Sequence, residues 1–273
     1  MTVDTNRAVG PHGGPTLGGG FTGDVRSVAT ALRIFEVIAR RQPIGLSALA
    51  RELDVPKSTV QRGLVTLADR RWIVQDLLGQ GRWSVSARLA VLAEPEPTLQ
   101  TARAIARPLL PGLRDRTGGP AALFTIDGDR MAMLDGYAGI VADLESQRGP
   151  LPIHASGAGR AMLAALPVAR QRQIVALLEE RGLTAYTPLT VTDGATLLAA
   201  IGEARREGCA IVVDEYLPRV ATVGAAMTGP DGLPIAAVAA IVTAPSPTPA
   251  ELRAVGREVA AVATTVSRQL TAP

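Results

Sequence analysis

From Ser27 to Arg40 the apolar residues Val28, Leu32, Phe35 and Ile38 recur at helical spacing, with Arg26, Arg33, Arg40 and Arg41 outside the stripe. Pro43 predicts the end of this helix. Ser47 then opens a short helix over residues 48–53, followed by a break at Asp54-Val55-Pro56. A third helix is expected over residues 56–70, with Val60, Leu64 and Leu67 on its buried face. Pro56 suits its first turn because the missing N–H has no helical partner there. Two β-prone runs, 72–75 and 82–85, flank a glycine-containing turn and predict a hairpin. Helical character resumes over 86–93, and Glu94-Pro95-Glu96-Pro97 marks a linker.

The rest of the chain alternates differently. A helix over 98–116 is expected to bend near Pro108 and Pro111, and strands 121–126 and 130–136 to turn at Asp127-Gly128. A strand over 141–148 and helices over 157–166, 168–181 and 193–207 follow. Strands are expected over 210–215, 220–227 and 234–242, and a closing helix from Pro249 to about Leu270. This order predicts an α+β fold with one antiparallel sheet covered by helices. The first 23 residues are rich in Gly, Pro and Thr, and are expected to be disordered.

The chain has 273 residues, enough for two cores. Aromatics make up only 3% of it, so those cores must be built from Ala, Val, Leu and Ile. The single cysteine, Cys209, allows no intramolecular disulfide, and no secretory signal or membrane-length apolar run is present. A soluble cytoplasmic protein is expected.

Charge is unevenly placed. Residues 24–93 carry eleven Arg/Lys against six Asp/Glu, whereas residues 94–273 carry sixteen against eighteen. The positive field therefore sits on the helix–helix–helix–hairpin segment, as a polyanion partner requires. A helix entering the major groove needs long or hydroxylated side chains at its N-terminal end. Lys57 (the only lysine), Ser58, Thr59, Gln61 and Arg62 meet that demand. Gln61 and Arg62 suit bidentate base contacts; Lys57, Ser58 and Thr59 suit phosphates equally well. Ser47 is a further candidate DNA contact, and Arg82 on the hairpin is placed for a phosphate or the minor groove. A winged helix can also serve as a protein-interaction module, and that alternative stays open here.

Several blocks together resemble the IclR family of bacterial transcription regulators: Val28-Ala-Thr-Ala-Leu-Arg-Ile-Phe, Leu46-Ser-Ala-Leu-Ala-Arg-Glu-Leu, Val55-Pro-Lys-Ser-Thr-Val-Gln-Arg, Gly81-Arg-Trp-Ser-Val and Leu151-Pro-Ile-His-Ala-Ser-Gly-Ala-Gly-Arg. The resemblance implies a winged helix-turn-helix over 24–93, a linker and connecting helix over 94–117, and a GAF-like effector domain over 118–273. It further implies operator DNA and a small effector as partners, self-association as a homodimer or dimer of dimers, and no cofactor.

An effector site is expected beside the sheet, near His154, Ser156 and Gly157, where Gly157 and Gly159 would leave amides accessible for a carboxylate. His154 either bonds the ligand or only packs that helix. Family members that bind small acids place polar groups at positions occupied here by Val212, Thr222, Ala239 and Ile241, of which only Thr222 is polar. Such a wall suits a larger, less polar effector. Arg219 and Ala226 stand where the family usually has Gly and Pro. With His12 and His154 the only histidines, a His/Cys zinc cluster cannot be assembled. Cys209, among apolar residues, reads as a buried structural thiol instead of a nucleophile.

Overall fold

A computed structural model describes residues 25–76, 81–92, 96–136, 151–243 and 247–272. The expected tail over 1–23, the strand over 141–148 and the tip of the first hairpin lie outside them. The described residues divide into two compact units, residues 25–92 and residues 96–272. Among the described residues no helix is long and apolar enough to cross a membrane.

The first unit is built on α1 (Arg26–Arg41), α2 (Leu46–Leu53) and α3 (Lys57–Asp69). Its core gathers Ile34, Val37, Ile38, Leu49, Leu53, Val60, Leu64 and Trp83. The stripe expected on α1 is corrected in part: Ile38 is buried as expected, but Val28 and Leu32 are 54% and 53% exposed, and Ile34 and Val37 are buried in their place. Two apolar stripes overlap on α1, and only the one reaching α3 finds a core. Gly63 permits that approach, since a Cβ there would meet the Ile34 side chain at 2.5 Å. Asp54 ends α2 in the left-handed region, which Asp tolerates better than most residues, and its N–H bonds back to Ala50 and Arg51. Pro56 is the N-cap of α3. Strands β2 (Ile73–Gln75) and β3 (Arg82–Val85) form the hairpin, and an unexpected two-residue strand, β1 (Ile44–Gly45), pairs with β3. A short α4 (Arg88–Leu92) follows.

The second unit opens with α5 (Pro97–Ala106), a 3-10 turn and α6 (Leu110–Thr117), the breaks falling at the expected prolines. Ala102, Ala106, Leu110 and Leu113 are buried, so this stretch is part of the second unit's core. The sheet runs β5 (Arg130–Gly136), β4 (Ala121–Asp127), β8 (Pro234–Val242), β7 (Ala221–Thr228), β6 (Ala210–Val213), with every pairing antiparallel. Strand β8 shows the design most plainly. Ala237, Ala239 and Ile241 face α7 (Gly157–Ala165), α8 (Val168–Arg181) and α9 (Gly194–Glu207), whereas Ala236, Val238 and Ala240 face α5, α6 and α10 (Pro249–Thr271). The period of two on a strand buried on both sides leaves no polar position.

Small residues on the central strands let helices approach closely. Helix α7 comes nearest: a Cβ on Gly224 of β7 would lie 2.4 Å from the Gly157 carbonyl carbon. Every residue from Gly157 to Ala164 is buried. Arg160 lies in that run, and its Nη2 donates to Glu215 Oε2 at 2.5 Å while its Nε donates to His154 O at 2.7 Å. Glu215 Oε2 also accepts from Val191 N–H at 2.9 Å, and Thr190 Oγ1 donates to Glu215 O. One buried ion pair thus ties α7, the 184–191 loop and the turn after β6 together.

Removing one partner of a desolvated pair leaves the other uncompensated, at a typical cost of about 3 kcal/mol or more. Glu215→Gln should lower the urea unfolding free energy by about 3 kcal/mol. A loss below about 1 kcal/mol, the range of exposed pairs, would show that the pair is solvated.

Candidate nucleic-acid interface and ligand cavity

Helix α3 presents two neighbouring rows opposite its buried Val60, Leu64 and Leu67. Lys57 and Gln61 form one row and Ser58 and Arg62 the other, each at a spacing of four that puts its members side by side. All four side chains are exposed; Thr59 is half-buried. No side chain caps the N-terminus of α3 and its first turn holds no acid, so the positive end of the helix faces out unopposed. Ser47 is exposed in the first turn of α2, and Arg82 is exposed at the start of β3. Lys57, Arg62 and Arg82 are not ion-paired to any described residue, which leaves their charge free for phosphate.

In the second unit a cavity of about 30 Å³ lies between α7 and the sheet. Ser156, Val212, Thr222, Ala239 and Ile241 all line it, together with Phe124, Leu151, Tyr216 and Leu217. Strand periodicity therefore gathers the four sheet positions onto one wall. His154 and Gly157 are not among the lining residues.

The expectation of accessible amides is corrected. Gly157 N–H donates to Thr222 Oγ1 at 2.9 Å, and Gly159 N–H to Ser156 Oγ at 3.2 Å. Ser156 Oγ in turn donates to Pro152 O at 2.6 Å. The glycines serve contact: a Cβ on Gly159 would strike Ile153 O at 2.2 Å. Of the three hydroxyl-bearing residues on the cavity wall, Ser156 both donates and accepts within the protein and Thr222 accepts from Gly157 N–H; Tyr216 is the third, and the remaining wall is hydrocarbon.

His154 is 6% exposed, its Nε2–H donates to Thr184 O at 3.1 Å, and its ring packs beside Tyr186. Cys209 instead lies under α10, where a Cβ on Gly256 would meet its sulfur at 2.6 Å; burial, then Glu207, raises its pKa. Neither neighbourhood joins the two as nucleophile and base. Arg160, Glu215 and Tyr216 escaped the sequence reading, although a lone arginine inside an apolar helix is itself the sign of a buried partner. Arg219 has a φ of +63°, in the left-handed region, which explains why glycine is the usual residue there. Its N–H donates to Asp214 Oδ1 at 2.5 Å.

Burial, more than any neighbouring charge, depresses the His154 pKa, so the folded protein holds this ring neutral. As the pH falls through the ordinary value of about 6.5, the unfolded chain gains a proton that the folded one refuses. The stabilisation is therefore complete above that pH and lost below it. Urea midpoints should fall between pH 7.5 and 5.5, and His154→Gln should flatten that slope. Equal slopes in the two proteins would contradict the assignment.

Comparison with known proteins agrees with this geometry. Residues 27–77 match the IclR helix-turn-helix domain, and residues 99–268 match the family described as bacterial transcriptional regulator IclR C-terminal. The HTH-type transcriptional regulator BhcR of Paracoccus denitrificans is 31% identical over 234 residues, 82% of this chain and 80% of that protein. The structure of Thermotoga maritima IclR has a TM-score of 0.65 at 18% identity, covering 91% of this chain and 100% of that one. An IclR homologue from Microbacterium hydrocarbonoxydans, complexed with 4-hydroxybenzoate, has a TM-score of 0.61 at 21% identity, covering 89% and 99%. At these identities the two structures establish the fold alone. An uncapped polar helix end in the first unit and a helix-roofed sheet in the second, both matched by family models, make this chain a member of the IclR family of bacterial transcription regulators.

Proposed function

We propose that this regulator reads its operator with Lys57, Ser58, Thr59, Gln61 and Arg62 in the major groove, steadied by Ser47 and Arg82 on the backbone. The chain is a sequence-specific DNA-binding regulator. The observation that carries the residue assignment is the exposed, uncapped first turn of α3, free of acidic side chains, directly opposite the buried stripe. The side chains of Val28 and Leu32, exposed on α1, supply an apolar surface that supports pairing of two copies on a palindromic site.

The attached cavity supports an effector that is larger and less polar than a small acid. Ser156 Oγ donates to Pro152 O and the Gly157 and Gly159 amides are bonded within the protein, so a carboxylate buried against this largely hydrocarbon wall would be poorly compensated. A small aromatic molecule would instead displace the half-buried Leu151, Leu217 and Val220 at its rim. A relative is complexed with 4-hydroxybenzoate, and the uncharged methyl ester of that compound is a suitable probe.

Arg62→Ala should weaken binding to the promoter fragment next to the gene by ten- to a hundredfold, about 1–3 kcal/mol, and relax specificity at one base step. Arg82→Ala should weaken all sequences alike and reduce the salt slope. Absence of binding to that fragment at 50 mM salt would overturn the reading. For the effector, calorimetry should show the methyl ester of 4-hydroxybenzoate binding at least tenfold more tightly than pyruvate. The reverse order would exclude a weakly polar ligand.

A further inference from the structure

We propose that the free edge of β6 is a docking site for an extended peptide of another protein, one whose basic and acidic residues alternate. Strand β6 ends the sheet order, and its outer edge has no partner strand among the described residues. Asp214 N–H bonds to Val220 O, and Val212 and Ala210 share its parity in the register with β7. The backbone groups of Ile211 and Val213 therefore point away from the sheet. Edge strands are commonly protected by their own charges, prolines or bulges. Ala210-Ile211-Val212-Val213 has none of these.

A groove of about 720 Å³ opens between α9 and α10 at the first half of this strand, against Ala210 and Ile211. Glu203 and Glu207, four apart on α9, form one rim; Arg253 and Arg257, four apart on α10, form the other. All four are exposed, and none is ion-paired to a described residue. Arg160 reaches the same groove but is held by Glu215.

An added strand would satisfy the outward amides and carbonyls while its alternate side chains pointed to opposite faces. Those toward α9 meet glutamates and must be basic; those toward α10 meet arginines and must be acidic. A second copy fits poorly. Antiparallel pairing of β6 with itself about a two-fold axis sets α9 beside α9 and α10 beside α10, so like charges face each other.

The test uses the full chain and a fluorescein-labelled, acetylated hexapeptide amide of three Lys-Glu repeats, against a control of three lysines followed by three glutamates. By anisotropy at 50 mM salt the alternating peptide should bind at least tenfold more tightly. Its binding should slow hydrogen exchange at the Ile211 and Val213 amides at least tenfold. The double variant Arg253→Glu/Arg257→Glu should lose tenfold or more. Val213→Pro, which deletes one outward donor and leaves the bonds to β7, should do the same. Equal binding of the two peptides, or unchanged exchange at both amides, overturns the proposal. So does exchange that is slow in the free protein and quickens on dilution, because a second copy then occupies the edge.

Discussion

The second unit depends on a place where two backbones touch. Helix α7 rests on β7 with nothing but hydrogen atoms between Gly157 and Gly224, and an added methyl group on either would overlap main chain. Main chain cannot give way as a flexible side chain can, so the helix sits at one height above the sheet. At that height Gly157 N–H reaches Thr222 Oγ1, and the run 157–164 is wholly enclosed. The narrow cavity beside it follows from the same contact, as does the burial of Arg160, which then requires Glu215.

Much of this was legible in the sequence where a single period governs. Val60, Leu64 and Leu67 fixed the orientation of α3, and with it the outward rows proposed to face DNA. Val212, Thr222, Ala239 and Ile241 were picked out by the family resemblance, and alternation on β6, β7 and β8 explains why they share one wall. On α1 two apolar stripes compete, and periodicity alone does not decide between them; contact with α3 does. Strand β1 left no trace because two residues have no period, and Ile44 and Gly45 are extended by pairing with Trp83 and Arg82.

Glycines were the main source of misreading. At a helix start they suggest a cradle for an anion, and nothing in Ser-Gly-Ala-Gly reveals that a strand and a preceding turn already occupy the space. His154 was equally opaque, because its partner Thr184 lies thirty residues away in an irregular loop. The Arg160–Glu215 pair spans fifty-five residues, and only the three-dimensional path of the chain joins them.

The composition of α3 has a practical corollary. Lysine occurs once in the chain, at the exposed first turn of α3, and apart from two histidines every other basic side chain is arginine. Reagents that attack amines ignore guanidinium groups, which keep their protons under all ordinary conditions. Apart from an amino terminus, amine acylation therefore has one side-chain target, which DNA bound as proposed would cover. A dye attached at Lys57 would report on that surface without any engineered cysteine, and an acetyl group there would remove one positive charge from this helix end.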